Sequence, residues 1–482
     1  MPDIKFHPII FFSWLKRACC CLVLTLAMIS STRAEPNFVV IMADDMNADE
    51  IAYMPNLNKY LKDKGITFSN FFASTPLCCP SRTTFLTGQY SHNTGIHDNG
   101  GSNGGFEAFK ALGLEQNTIA TRLQDAGYRT GLMGKYLNYY SGKLDADGVA
   151  YIPPGWDEWH VFVSGISYFS FNINSNGQID HFGKENGEYS TDYLTKLAVN
   201  FIDESTTDVR PFFLFLTPTA PHKPYSPALE HRLSYLDAET NKTDAFNEQD
   251  ISDKPTWVGE LEPITQEQID TLDAEFILRM QMLLSLDDMI GDVIQTLNAT
   301  NKMKDTYLIF TADHGWHQGE HRLFNTKGTP YEETIKIPFI MRGPNVPQAA
   351  IRDQLISNID FYNTILDLGL KRSVKNVDGR SFKPLIRDAA AAFRSKLLIE
   401  YLGDVKTNGF RLPIPRFRGM RMEDSIFIHY FEVDEFEYYD LSNDPYQLNN
   451  IYNTLDPITV QGFLDDLNAL QDCKASSCRQ AD

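Results

Sequence analysis

The sequence predicts an α/β fold, a sheet covered by helices on both faces, followed by a smaller C-terminal α+β unit carrying strands and hairpins. Two patterns carry that reading. Short apolar runs rich in β-branched and aromatic residues alternate with helical patterns over most of the chain, and after Asp378 the alternation gives way to closely spaced strands. Composition agrees: of 482 residues, 43% are hydrophobic, 12% aromatic and 22% charged, a balance that excludes disordered, collagen-like and coiled-coil chains.

Taken in order, strands are expected at 37–42, 66–72, 128–133, 212–217, 307–311 and 337–341. Helices are expected at 117–126 and 276–297. The second places Phe276, Met280, Leu283, Leu284, Met289, Val293 and Leu297 near one face, with its methionines filling the core. Beyond residue 378, strands and hairpins are expected at 396–401 and 418–441, and a helix at 457–470. The segment 99–105 reads as a flexible Gly-rich loop, not a phosphate-binding fingerprint. The expected division is a leader at 1–34, a large domain at 35–377 and a small one at 378–482.

The leader is read as a signal peptide: Lys16 and Arg17 precede an apolar run from Ala18 to Ile29, and small residues lead to Ala34. That run is too short to span a bilayer comfortably. A secreted or lumenal protein without stable membrane insertion is therefore expected. Of 7 cysteines, Cys19, Cys20 and Cys21 fall in the leader. Cys473 and Cys478, separated by a short loop, suit a disulfide in an oxidising compartment. Asn241 and Asn298 begin glycosylation sequons, meaningful in a eukaryotic host. Lys and Arg number 43 against 63 Asp and Glu, a formal net charge of -20, which argues against general nucleic-acid binding. An anionic substrate then needs positive charge local to a pocket.

The chemistry concentrates in Leu-Cys-Cys-Pro-Ser-Arg-Thr-Thr-Phe-Leu-Thr-Gly-Gln-Tyr, starting at Leu77. Pro80 suits the first turn of a helix, with Cys78 just before it, where unpaired N–H groups favour anions. Two further runs end in acidic pairs or their equivalent: Val-Val-Ile-Met-Ala before Asp44-Asp45, and Leu-Ile-Phe-Thr-Ala before Asp313-His314. Strand ends in an open α/β sheet are where ligand sites form, and two such clusters favour a hard divalent ion held by oxygens.

The run Cys-x-Pro-Ser-Arg followed by Leu-Thr-Gly resembles the signature of formylglycine-dependent sulfatases. The resemblance implies an alkaline-phosphatase-like fold and oxidation of Cys78 to formylglycine by a formylglycine-generating enzyme. Cys79, at the variable position, is expected to be structural. The resemblance also implies one Ca2+ held by Asp44, Asp45, Asp313, His314 and the modified Cys78. His314 stands where many family members carry Asn, and an imidazole is a less typical calcium ligand. Arg82, one helical turn beyond Cys78, can return towards the same helix end. Lys135 in Gly-Lys-Tyr-Leu-Asn and Lys327 in Lys-Gly-Thr-Pro-Tyr-Glu match the family's sulfate-binding lysines, and His222 in Ala-Pro-His matches its leaving-group histidine.

Leu137 occupies the position of a base in many sulfatases, so that base is unassigned, with His317, His181 and His160 as candidates. The same run resembles the glucosamine-6-sulfatase and heparan endosulfatase branch, as do Tyr-Ile-Pro-Pro-Gly-Trp from Tyr151 and the ending around Tyr439 and Cys473. The implied activity is sulfuric ester hydrolysis on a sulfated glycan, with N-acetylglucosamine-6-sulfate the most specific guess, or on an aryl sulfate. Arg411, Arg416, Arg418 and Arg421 form an acid-free basic stretch that could hold neighbouring sulfates, and His317 is a further substrate-binding candidate. The rival readings are a phosphomonoester or phosphodiester hydrolase on the same fold and a non-catalytic glycan-binding homologue.

Overall fold

The computed structural model describes residues 2–3, 35–163, 165–184, 188–403 and 412–482. The expected signal peptide therefore lies almost wholly outside the described residues, as does Arg411. Among the described residues, no helix is long and apolar enough to cross a membrane.

In chain order the strands of the first half are β1 (Asn37–Ala43), β2 (Ile66–Phe68), β3 (Phe71–Phe72), β4 (Arg129–Gly134), β5 (Glu158–Val163), β6 (Asn172–Ser175), β7 (Gln178–His181) and β8 (Phe212–Thr217). They are followed by β9 (Thr306–Ala312), β10 (Phe339–Arg342), β11 (Ala350–Arg352) and β12 (Ile356–Ser357). The C-terminal region adds β13 (Lys396–Tyr401), β14 (Phe417–Met422), β15 (Ser425–Tyr430) and β16 (Glu435–Asp440). The helices that matter below are α1 (Cys78–Thr87), α2 (Ile119–Asp125), α3 (Ser190–Glu204), α4 (Gln266–Ala299), α5 (Ile359–Leu370) and α6 (Pro457–Gln471).

A mixed sheet of ten strands runs in the order β11-β2-β10-β9-β1-β8-β4-β5-β6-β7. Its centre, β9-β1-β8-β4, is parallel throughout, with Ala43 opposite Ala312 and Ile41 opposite Leu216. Every residue of these four strands is buried. That explains the apolar spelling of their middles, without polar alternation: a parallel strand covered on both faces has no polar side to alternate with. Helix α3 packs against α4, and α1 against α5. The second sheet, β13-β14-β15-β16, is antiparallel and carries α6 against its first two strands.

Several boundaries differ from expectation, each for a local reason. The run at 66–72 is two strands in two sheets, β2 beside β10 and β3 beside β12. Ser69 and Asn70 break it, donating to the carbonyls of Arg352 and Asp353. Strand β10 starts at Phe339 because Pro338 has no N–H to offer a neighbour. Helix α4 begins ten residues before its apolar stripe, at a capping box in which Thr265 and Gln268 bond each other's backbone amides. Its first turns are polar, so periodicity alone missed them. The 99–105 segment is held in place: the Asn99 side chain accepts from the Cys79 amide at 2.9 Å, and Gly105 opens a helix that runs to Ala111.

Candidate functional site

Four neighbouring parallel strands deliver the polar residues to one edge of the sheet. Asp44 and Asp45 follow β1, Asp313 and His314 follow β9, His222 lies five residues past β8, and Lys135 follows β4. In a strand, consecutive side chains point to opposite faces. Asp45 escapes that alternation because its backbone is left-handed, with φ of 62°, a conformation aspartate tolerates. Both carboxylates thus turn towards the same space. Gly134 serves a similar end before Lys135: a Cβ there would lie 2.2 Å from the Thr217 carbonyl oxygen. Without one, the Lys135 amide donates to that carbonyl at 2.7 Å.

Cys78 is the first residue of α1, with extended Leu77 as its cap, so Pro80 falls where its missing N–H has no intrahelical partner to lose. Around its sulfur the polar groups converge. Lys327 Nζ lies 3.0 Å from Cys78 Sγ and 2.5 Å from Asp45 Oδ1. His314 Nε2 is 3.3 Å from the sulfur and 3.3 Å from Asp45 Oδ1. Lys135 Nζ bonds both oxygens of Asp44, at 2.9 and 2.6 Å. Arg82 Nε donates to Asp313 Oδ2 at 2.9 Å, and a terminal nitrogen stands 3.6 Å from Asp44. His222 Nε2 is 3.5 Å from Asp45 Oδ2, while Nδ1 bonds the Lys223 carbonyl.

Three carboxylates and three permanent cations thus share a buried cluster, and their pKa shifts follow. Burial would raise the Asp45 carboxyl, but Lys327, His222 and His314 outweigh it and hold it well below the carboxylate range. Burial likewise opposes ionisation of Asp313 and is overcome by His314 and Arg82. The Cys78 thiol would be pushed up by burial, yet Lys135 and Lys327 bring it below its ordinary value. Neighbouring Cys79 has no such company, and burial pushes it to about 12, fitting a structural residue. Burial lowers His222. His314 resists burial and is raised to about 9, mainly by Asp313.

The donor set fits a hard divalent cation. Ligand atoms of Asp44, Asp45, Cys78 and His222 all lie within 4.8 Å of one another, as do those of Cys78, Asp313 and His314. Carboxylate oxygens dominate, the chemistry calcium or magnesium prefers. His314 Nδ1 faces the Gly315 carbonyl at 2.9 Å, which leaves Nε2 as the edge turned to the cluster.

Lys135 and His222 also open into a cavity of about 670 Å³ whose wall includes Asn138, Tyr139, Ser141 and Lys223. Among the described residues no carboxylate lines it, although the chain's net charge is -20. The cluster and this cavity make a site: charge on one side, room for a small organic group on the other.

The remaining sequence candidates lie elsewhere. His317 is fully buried and bonds Thr329 Oγ1 at 2.7 Å, so its ring is walled off from the cavity. His160 and His181 sit on β5 and β7, towards the sheet's outer edge, partnered by Glu158 and Asn172. Arg416 and Arg418 belong to the small sheet and its approach, donating to the Gly403 carbonyl and to Gln471. Arg421 is buried against Glu332 at 2.8 Å, an ion pair rather than part of a basic surface. Cys473 and Cys478 form a disulfide, and Asn241 and Asn298 are both exposed.

Sequence reasoning missed the supports. Arg279, in the middle of α4, donates to the Asp45 carbonyl at 2.8 Å and to Glu50 at 2.7 Å, and so fixes the acidic turn from behind. A charged residue on a buried helix stripe was the available signal. Glu437 of β16 accepts from Tyr331, Tyr430 and Tyr439, tying the loop that carries Lys327 to the small sheet.

The chain matches the family described as Sulfatase over residues 36–369, and the one described as N-sulphoglucosamine sulphohydrolase, C-terminal, over residues 319–472. An N-acetylglucosamine-6-sulfatase from Capra hircus is 30% identical over 477 residues, covering 92% of this chain and 85% of that one. A Sulf-1 homologue from Caenorhabditis elegans is 34% identical over 358 residues; the match takes in 73% of this chain and about half, 49%, of the longer relative. Among solved structures, a protein in complex with its substrate D-glucosamine-2-N,6-O-disulfate superposes with a TM-score of 0.75 at 22% identity, over 93% of this chain and 99% of that one. That likeness shows a shared fold, the alkaline-phosphatase-like arrangement expected from the sequence.

Proposed function

Because the chain belongs to the sulfatase family, we propose that it hydrolyses the sulfate ester of a sulfated carbohydrate, with O6 of an amino sugar as the favoured position, and accepts aryl sulfates as simpler substrates. The goat relative, named for N-acetylglucosamine 6-sulfate, supports the position. One observation carries the reading: Cys78, three carboxylates and three cations meet at the ends of four adjacent strands, beside a cavity that no carboxylate lines among the described residues.

A formylglycine hydrate at position 78 would supply two hydroxyls on one carbon, one to attack sulfur and one to expel sulfate, so that the side chain is regenerated without a second attack at sulfur. Asp44, Asp45, Asp313 and His314 would hold one Ca2+, which supplies positive charge beside that hydrate. A thiol is a soft ligand and fits calcium poorly, whereas the oxidised side chain would complete a nearly all-oxygen set. That mismatch favours conversion of Cys78 by a formylglycine-generating enzyme.

The chain's own side chains do the rest. Lys135 and Lys327 place ammonium groups where the sulfuryl oxygens gather charge, a preorganised electrostatic role. Arg82 clamps Asp313 through Nε and keeps the carboxylate from turning away. His222 presents Nε2 to the site, because Nδ1 is held by the Lys223 carbonyl. A proton on that nitrogen is given up readily in a buried ring, which suits donation to the departing sugar oxygen. The disulfide and the Caenorhabditis elegans relative's description as an extracellular sulfatase homologue support a secreted or lumenal setting.

The test is mass spectrometry of the peptide containing Cys78, paired with sulfate release from N-acetylglucosamine-6-sulfate. An aldehyde at position 78 and loss of multiple turnover in Cys78→Ser, with an unchanged melting temperature, are expected. Full activity with an unmodified thiol would end the reading.

A further inference from the structure

A second cavity adjoins the first. It measures about 530 Å³ and shares Pro224 with the wall of the cavity that Lys135 and His222 enter. The two are also joined by a hydrogen-bond strut. Tyr168, which lines the second cavity, shares its one hydroxyl proton between the carbonyls of Thr219 and His222, 2.8 and 2.5 Å away, on the turn that presents the His222 ring to the first.

Its chemistry is uneven in an informative way. Lys184 and Arg232 bring two positive charges to the wall, Ser167 and Ser226 add hydroxyls, and Phe169 adds an aromatic ring. Among the described residues none that lines it is acidic, in a chain with 63 carboxylate side chains against 43 Lys and Arg. Arg232 Nε donates to the Pro227 carbonyl at 3.2 Å, which orients the guanidinium; among the described residues, no recorded partner takes its terminal nitrogens. A guanidinium and an ammonium on one cavity wall, both exposed, match a carboxylate or sulfate, and a half-buried aromatic ring suits the apolar face of a sugar.

The first cavity alone is large enough for one sulfated sugar. The second is therefore surplus to a monosaccharide. We propose that it is an anion-binding subsite in which Lys184 and Arg232 hold the carboxylate or sulfate of a neighbouring sugar, so that the preferred substrate is an anionic oligosaccharide rather than a single sugar. This rests on reading the first cavity as the place of sulfate-ester hydrolysis. Lys223, exposed next to the shared Pro224, lines the first cavity with its ammonium 4.9 Å over the Trp316 ring.

The experiment compares two substrates in the wild type and in the double variant Lys184→Ala/Arg232→Ala. One is N-acetylglucosamine-6-sulfate; the other is a heparin tetrasaccharide ending in a 6-O-sulfated glucosamine. In the double variant, KM for the tetrasaccharide should rise roughly tenfold at unchanged kcat, the scale of two exposed charge contacts. The monosaccharide KM should stay within about twofold, which also shows that the variant is folded. The wild type's preference for the tetrasaccharide should disappear in 0.5 M salt, since exposed charges are screened. An unchanged tetrasaccharide KM, or an equal rise for both substrates, overturns the subsite while leaving the proposed reaction standing. Wild-type enzyme that releases sulfate from neither overturns the reaction itself, and the subsite with it.

Discussion

Lys135→Met should weaken catalysis while tightening calcium binding. Lys135 Nζ holds both oxygens of Asp44 and is only 7% exposed. Removing one member of a buried pair typically costs about 3–5 kcal/mol, because the other charge is left without compensation. Arg82, 3.6 Å from Asp44, covers part of that loss, so the lower end of the range, about 3 kcal/mol, is expected in chelator. Calcium coordinated by Asp44 would compensate the carboxylate directly and reduce the penalty to about 1 kcal/mol or less. Closing the cycle, the variant binds calcium more tightly by about 2 kcal/mol, roughly thirtyfold in Kd. Loss of an ammonium from the sulfuryl group should lower kcat/KM by about a hundredfold to a thousandfold. Calcium titration by calorimetry, with thermal melts in EDTA and in saturating calcium, measures each quantity. Calcium affinity that is unchanged or weaker in Lys135→Met would refute the idea that ammonium and cation compete for Asp44.

Three further outcomes follow from the same geometry. His222→Ala should slow hydrolysis of a sugar sulfate by about 10²–10⁴ but that of 4-nitrophenyl sulfate by less than about tenfold, since nitrophenolate leaves without a proton; equal losses would remove His222 as the donor. Glu437→Ala strands three buried phenols and should cost about 3 kcal/mol in urea unfolding; a cost under about 1 kcal/mol would mean that the phenols find other acceptors. Burial and then Glu230 push Asp192 up to about 6, so the folded chain keeps a proton that the unfolded chain loses near pH 3.8. That stabilisation is complete below pH 3.8 and lost as pH rises through 6. Asp192→Asn should therefore stabilise the protein at pH 8, by about 1 kcal/mol after solvent screening, and not at pH 3.5; the same gain in melts at both pH values would contradict the shift.

Much of the site was legible because its signals are local. An apolar run ending in Asp44-Asp45 or Asp313-His314 is a buried strand meeting a polar turn, and Pro80 beside Cys78 is a helix start; both need only neighbours in sequence. Supports that act across the fold were not legible. Arg279 and Glu50 are 229 residues apart, and their pairing behind Asp45 has no local pattern beyond a charge in an apolar stripe. The basic run near residue 416 showed the opposite failure. Read alone it is a patch of like charge, yet Arg421 is spent on Glu332 and Arg418 reaches Gln471.

By itself, then, the chain's spelling determined most of its elements, its buried strands and which polar side chains stand at their ends, since these depend on side-chain chemistry and short-range backbone preference. Tertiary structure decided which strand ends stand side by side. Ala43 faces Ala312 and Gly134 faces Thr217 through pairings whose energy lies in contacts between distant residues, and that adjacency turns four separate turns into one charged cluster. It also decided where empty space remains, because a cavity is what the packing of many elements leaves unfilled, and no single segment encodes it.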